Sequence, residues 1–157
     1  MGFPELVTAV LTVDFVTIVL SKFFNLGKSL DEWYKRFGIV AVLSDCLIIL
    51  IGIQLAILLD PKAGFFLILV TAVCIQVVHD ILFYLLVIQP IPQGHNEIID
   101  LFKKYANENS WKIIVADSLM VISTVYLAQF LKFVPVQNVT FLGLLSLYAL
   151  TYIIYTH

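Results

Sequence analysis

Long runs of apolar residues alternate with short polar segments along the whole chain. Five such runs occur, at about residues 4–20, 38–59, 64–89, 112–132 and 137–155. About 20 apolar residues are needed to cross a bilayer as a helix, and the runs are near or above that length. The pattern therefore predicts an all-α integral membrane protein, with one transmembrane domain over residues 1–157 that crosses the bilayer five times.

Composition supports a multi-pass membrane protein without indicating which membrane holds it. The 157 residues are 61% hydrophobic and their mean hydropathy is +1.02, whereas soluble domains are about 45–50% apolar. The net charge of −2 gives no indication of nucleic-acid binding. Cys46 and Cys74 fall inside apolar runs, so we expect them to be packing residues rather than a disulfide. The expected partner is the lipid bilayer.

The basic residues predict an orientation, because cytosolic loops of membrane proteins are enriched in Lys and Arg. With five spans, the segments 21–37 and 90–111 lie on the same side of the membrane. That side, with Lys112 at its edge, carries seven of the nine basic residues, and the other side carries only Lys62 and Lys132. The expected topology is an N-terminus outside and a C-terminus in the cytosol.

Two similar stretches predict an internal duplication. DEWYKRF (31–37) matches IDLFKKY (99–105), and SDCLIIL (44–50) matches ADSLMVI (116–122), with four extra residues near 106–109 in the second copy. The alternative is chance similarity between apolar helices. If the duplication is real, two-helix units at about 7–59 and 70–131 are parallel repeats related by a pseudo-two-fold axis along the membrane normal. The run at 137–155 is then an extra transmembrane helix.

The two polar stretches of the repeat are expected to be short amphipathic helices at the membrane surface. Ser29 and Glu32 fit a capping box at the start of the first helix, and Asn96 is the expected cap of the second. Each helix ends in a basic pair that could face lipid headgroups or simply fix the topology. These membrane-interface residues are Lys35, Arg36, Lys103 and Lys104.

Four aspartates lie inside the predicted spans, and no Lys or Arg lies at their depth. Asp14, Asp45, Asp80 and Asp117 fall in one layer of the cytosolic half, roughly 8–14 Å from its edge at 1.5 Å per helical residue. The acids could be partly protonated and share protons, bind a cation, or line a wet cavity. They could also be protonated donors of interhelical hydrogen bonds to Ser44, Ser118 or backbone carbonyls, with no chemical role.

The faces of the spans point the acids away from lipid. Small residues share the Asp45 face at helical spacing, and small residues let membrane helices approach closely. Gln76, Asp80 and Tyr84 form a polar stripe, with His79 adjacent. His79 and Asp80 could act as a proton relay or hold a metal ion, or His79 could be a packed neutral histidine. The predicted ion or proton pathway consists of Asp14, Asp45, Asp80, Asp117, His79, Gln76 and Tyr84.

Three functions fit these features. The first is a transporter or channel for protons or small cations. The outer half of its spans has few polar residues, so conduction would need a gate or an oligomer. The second is a membrane-embedded enzyme acting at the cytosolic face on a lipid or isoprenoid headgroup, although no known catalytic motif occurs and no catalytic residue is assigned. The third is a structural membrane protein without chemistry. No cofactor is predicted beyond a bound cation, and the small-residue faces suggest a homo-oligomer.

Overall fold

The computed structural model describes residues 1–24 and 27–156, so residues 25, 26 and 157 of the predicted domain lie outside it. The described chain is built from seven α-helices, one of which ends in a π-helical turn. They are α1 Phe3–Phe24, α2 Lys28–Phe37, α3 Ile39–Leu59, α4 Phe65–Phe83 with the π-turn Tyr84–Ile88, α5 Glu97–Asn109, α6 Lys112–Leu131 and α7 Val136–Ile153.

The five long helices confirm the five predicted apolar spans. Five helices are long and apolar enough to cross a membrane, namely α1, α3, α4 with its π-turn, α6 and α7. Their surfaces away from the core carry large apolar side chains, such as Leu58, Phe66 and Phe141. Exposed side chains of this kind suit lipid rather than water. The chain thus has the features of a multi-pass membrane protein.

Four of the long helices form a ring around the core, and the fifth packs outside it. Contacts run from α1 to α3, from α3 to α4, from α4 to α6 and from α6 back to α1. The small residues of α3, Ala41, Gly52 and Ala56, are buried in this ring. They had suggested a homo-oligomer, but the fold uses them within one chain, so that idea stays a prediction without structural support.

The seam between α1 and α7 combines polar contacts with close approach. The Thr8 hydroxyl donates to the Val139 carbonyl at 3.0 Å, and the hydroxyls of Thr12 and Ser146 lie 3.0 Å apart. A Cβ on Gly143 would lie 2.6 Å from Thr8 Oγ1, so only glycine allows this spacing. Hydrogen bonds and small residues are the usual sources of helix association in a bilayer.

The short helices α2 and α5 lie against each other at one end of the ring. The Asn96 side chain accepts from the backbone N–H groups of Ile98 and Ile99, which confirms the predicted cap of α5. The capping box at Ser29 is wrong: α2 begins at Lys28, two residues earlier than that cap implies, and Gly27 precedes it without a side-chain cap. Instead Glu108 of α5 accepts from the N–H groups of Lys28 and Ser29, at 3.0 and 2.9 Å. A contact from a distant helix thus replaces the local cap, and it places an anion at a helix N-terminus.

The corners that lead from the short helices into the next spans have the same backbone geometry. Gly38 after α2 has φ 51° and ψ −123°, and Ser110 after α5 has φ 49° and ψ −128°. In both, the N–H donates to the carbonyl four residues earlier, that of Tyr34 or Ala106. This region is favourable for glycine and strained for serine.

Exchanging the two corner residues should therefore have opposite effects on stability. Ser110→Gly is expected to raise the free energy of unfolding by about 1 kcal/mol, because relief of about 1–3 kcal/mol of strain exceeds the added chain entropy of glycine. Gly38→Ser should lower it by at least as much, since its Cβ would also approach the Tyr155 hydroxyl to 2.8 Å. Thermal unfolding in detergent measures both, and a loss of stability in Ser110→Gly would contradict the assignment of strain.

Candidate ion-binding cavity

A cavity of about 940 Å³ lies between α3, α4 and α6, where α2 and α5 close the end of the ring. It brings together six of the seven residues predicted for the pathway, and Asp14 is the exception. The six are Asp45, Gln76, His79, Asp80, Tyr84 and Asp117. Three carboxyl groups from three different helices therefore face one space.

Asp45 is held by two aromatic donors from α2. The Trp33 indole N–H and the Tyr34 hydroxyl both donate to its Oδ2, at 3.2 and 2.9 Å. Burial raises the pKa of Tyr34 well above 10, and the nearby Asp45 adds to this effect. The phenol therefore remains a protonated donor to the carboxyl group at every physiological pH.

Asp80 makes its contacts within α4 and keeps one oxygen free. Gln76 Nε2 donates to Asp80 Oδ1 at 2.8 Å, and His79 Nδ1 lies 3.1 Å from the same oxygen. The His79 ring stacks on Phe83, with centroids 5.5 Å apart and planes 13° from parallel. Within the described chain, Asp80 Oδ2 is buried without a hydrogen-bond partner. That oxygen can accept a proton or a donor from a bound molecule.

Asp117 completes the acidic lining from α6. It lies close enough to Asp80 and to Asp45 for its charge to be repelled by each of theirs when the groups are ionised. The described residues that line the cavity include no Lys or Arg, and His79 is the only other group there that could carry positive charge. An uncompensated acidic lining of this kind favours protons or cations over anions.

Asp14 is buried on α1 but is not part of the cavity lining. Its exposed fraction is 0%, and within the described residues neither carboxyl oxygen has a hydrogen-bond partner. It lies beside the Cys46 thiol, a weak donor, and near enough to Asp45 for their charges to interact. Asp14 is therefore a neighbour of Asp45 but does not line the cavity.

The half of the ring away from α2 and α5 is filled with apolar side chains. Leu6, Val10, Ile53, Val121 and Val125 are all buried there or near the centre. Gln54, one of the few polar side chains of this half, is exposed on the outer surface of α3. The packed core closes the cavity towards that half of the ring, as the scarcity of polar residues in the outer half of the sequence indicated.

Ion pairs link the two short helices at that end. Lys104 on α5 pairs with Glu32 on α2, and Arg36 pairs with Glu32 and Glu97 at 3.2 Å each. Lys103 donates to the Ile91 carbonyl at 2.5 Å, while Lys35 is exposed. Of the four predicted membrane-interface residues, three are thus engaged within the protein, and contact of any of the four with headgroups stays a prediction.

Acidification should loosen this link between α2 and α5. The hydrogen bond from Lys104 holds the pKa of Glu32 below its ordinary value of 4.5. A lowered carboxyl pKa means that the stabilisation is present above pH 4.5 and is lost as the pH falls through the lower folded value. Since the pair is at the surface, the expected loss is below about 1 kcal/mol. Stability of the wild type between pH 6 and 3 should fall more than that of Glu32→Gln, and equal slopes would contradict the prediction.

The aromatic wall of the cavity was not predicted. Trp33 and Phe102 pack with centroids 4.9 Å apart, and Phe102 meets Phe83 edge-on at 6.2 Å. These residues belong to the aromatic positions of the repeated stretches and to the turn after Asp80, so the sequence did carry a signal. The sequence did not indicate that α2 and α5 fold back over the end of the ring. The π-turn that carries Tyr84 was also missed, and π-helical turns are frequent at functional sites.

Among the described residues, no group of three or more His, Cys, Asp or Glu side chains is arranged to hold a metal ion. Asp80 and His79 are adjacent, as predicted, but they provide two ligands at most. Comparison of the chain with known protein families, characterised proteins and solved structures found no match. The class to which the chain can be assigned is therefore that of helical proteins with five candidate membrane spans.

Proposed function

We propose that this chain is a small multi-pass membrane transporter for protons or small cations, with the cavity as its binding site. The observation that carries the proposal is the convergence of Asp45, Asp80 and Asp117, from three helices, on one space without Lys or Arg in its described lining. Ionisable residues inside a membrane are costly and commonly mark ion or proton pathways. Asp80 Oδ2, which has no hydrogen-bond partner in the described part of the chain, and the adjacent His79 supply groups that can exchange a proton.

The packed half of the ring favours a gated carrier over an open channel. Side chains of Ile53, Val121 and Val125 block the axis beyond the cavity. A cation could cross only if the helices of the ring shift and open that side. Transport would then proceed by alternating access, in which the cavity faces one side at a time.

An internal duplication, at about 7–59 and 70–131, would give such a carrier two similar halves. Two features support it. Gly38 and Ser110 share an unusual backbone geometry, and each precedes the matching aspartate of its copy, Asp45 or Asp117, by seven residues. The ring order also places α1 opposite α4 and α3 opposite α6. A pseudo-two-fold axis along the ring would relate these pairs.

We further propose that the end bearing α2 and α5 faces the cytosol, with the N-terminus outside. Seven of the nine basic residues belong to that end or its edge. The C-terminal segment is there too, since Lys22 donates to the Thr156 carbonyl at 2.6 Å. In this orientation the cavity opens towards the cytosolic side, and the packed half forms the outer barrier.

A second candidate function is supported by the His79–Asp80 pair. A histidine oriented by a carboxylate and facing a cavity is a common general base. With access near the membrane surface, such a pair could act on a lipid or isoprenoid headgroup. This enzyme would convert its substrate, whereas a carrier would release it unchanged.

Flux measurements on the wild-type protein test the first proposal against the second. The protein is reconstituted into liposomes, and proton and alkali-cation movement is recorded under imposed pH and potassium gradients. Flux above that of protein-free liposomes is expected. Absence of flux under every gradient would overturn transport of protons and small inorganic cations. A change in the headgroup composition of the liposome lipids, detected by mass spectrometry, would then support the enzyme.

A further inference from the structure

The cavity is much larger than a proton or a bare inorganic cation requires. Its volume of about 940 Å³ lies in the range of roughly 300–1,000 Å³ that is typical of sites for drug-sized molecules. Apolar and aromatic side chains form most of its lining surface. This combination is typical of sites for organic ligands.

The chemistry of the wall favours a cation with an apolar body. Trp33, Phe83 and Phe102 form one connected aromatic cluster in the lining. Aromatic faces attract cations, and the attraction is strongest where water is excluded. Asp80 and Asp117 supply negative charge beside this cluster without a Lys or Arg in the described lining to neutralise it.

The rim of the cavity faces the position that lipid would occupy. Ile81 and Leu85, on one face of α4 and its π-turn, line the cavity and are 44% and 48% exposed. Trp111, just before α6, and Ala116, in its first part, also line the cavity and are exposed. Since these residues belong to or border two spans, the gap between them opens sideways towards the bilayer.

We propose that the cavity binds lipophilic organic cations, which enter it from the bilayer between α4 and α6. This inference rests on the proposed function, because it names the class of cation that the carrier takes. The apolar body of the ligand packs against the aromatic cluster, and its charge lies near Asp80 and Asp117. Inorganic cations lack the apolar surface that the rest of the cavity would cover.

Binding of tetraphenylphosphonium to the purified protein in detergent tests the proposal. Radiolabelled probe in equilibrium dialysis should bind saturably, at one site per chain. Trp33 and Trp111 are the only tryptophans of the chain, and both line the cavity. Binding should therefore also change the tryptophan fluorescence, and it should still do so in Trp111→Phe, where only Trp33 remains to report.

Matched variants and an anionic probe test whether binding depends on the cavity aspartates and on the positive charge of the probe. Asp117→Asn and Asp80→Asn should each weaken binding of the probe at least about tenfold, the loss expected for one charged contact. Asp60→Asn, in the turn at the opposite end, removes the same charge and should bind as the wild type does. The anion tetraphenylborate, of nearly the same size and shape, should show no saturable binding. Monodispersity in size-exclusion chromatography establishes that each variant is folded.

The outcomes separate this inference from the proposed function. Proton or alkali-cation flux without saturable binding of the probe would overturn the inference and leave the carrier in place. Saturable binding without any flux, of the probe or of inorganic cations, would support the site and overturn transport. Equal binding by wild type and both aspartate variants would overturn the inference, since the probe would then only partition into the apolar surface.

Discussion

Replacing Asp45 and Asp117 together by asparagine is expected to reduce cation or proton flux to the level of protein-free liposomes. The change removes two of the three carboxyl groups of the cavity and leaves Asp80 alone. Each lost charged contact is worth about 1.5–3 kcal/mol, so one substitution should slow flux about 10- to 100-fold. The double variant should fall below detection.

The fold should survive this double substitution. In Asp45→Asn, the side-chain carbonyl of the asparagine can still accept from Trp33 and Tyr34, which donate to Asp45 in the wild type. Asp31→Asn/Asp60→Asn is the matched control, because it removes two acids that lie outside the cavity. Full flux in the Asp45→Asn/Asp117→Asn variant, with the protein folded, would show that the acids are only structural.

Replacing Asp14 by valine is expected to raise the free energy of unfolding by about 1–3 kcal/mol. The Asp14 carboxyl group is buried without a hydrogen-bond partner among the described residues, and a buried polar group in that condition costs about this amount. Valine is close to aspartate in size and brings no polar atom into the site. Unfolding by SDS titration in mixed micelles measures the difference.

Asparagine at the same position provides the control. Asp14→Asn keeps the shape and the buried polar atoms, so it should bring no gain in stability. A protein that retains a costly acid beside Asp45 does so for a reason other than stability, and transport by Asp14→Val should accordingly be slower than by the wild type. If valine destabilises the fold more than asparagine does, Asp14 has a structural role instead.

The spans could be predicted from sequence because a bilayer demands long apolar helices and little else. The predicted run 38–59 and the helix Ile39–Leu59 differ by one residue. The cap at Asn96 was also predictable, since its partners are only two and three residues away. The cap of α2 was not, because Glu108 reaches it from 79 residues further along the chain.

The acidic part of the site followed from the sequence, while its walls did not. Helical spacing put Gln76, Asp80 and Tyr84 on one face, and the structure places all three on the cavity. Spacing along one helix does not show which neighbouring helix a face contacts. Asp14 was therefore grouped with Asp45, Asp80 and Asp117, although it does not line their cavity. Trp33 and Phe102 come from α2 and α5, which meet through contacts between segments that are distant in the sequence.

The seam between α1 and α7 has a consequence for how the chain folds during synthesis. α1 leaves the ribosome long before α7, with which it makes contacts between Thr8 and Val139 and between Thr12 and Ser146. Until α7 is inserted, the Thr8 and Thr12 hydroxyls have no partner from it, and their face of α1 meets lipid. Contacts so far apart in sequence form late. Assembly of the bundle therefore waits for α7, and a nascent chain stopped after α6 holds α1 without its α7 partner.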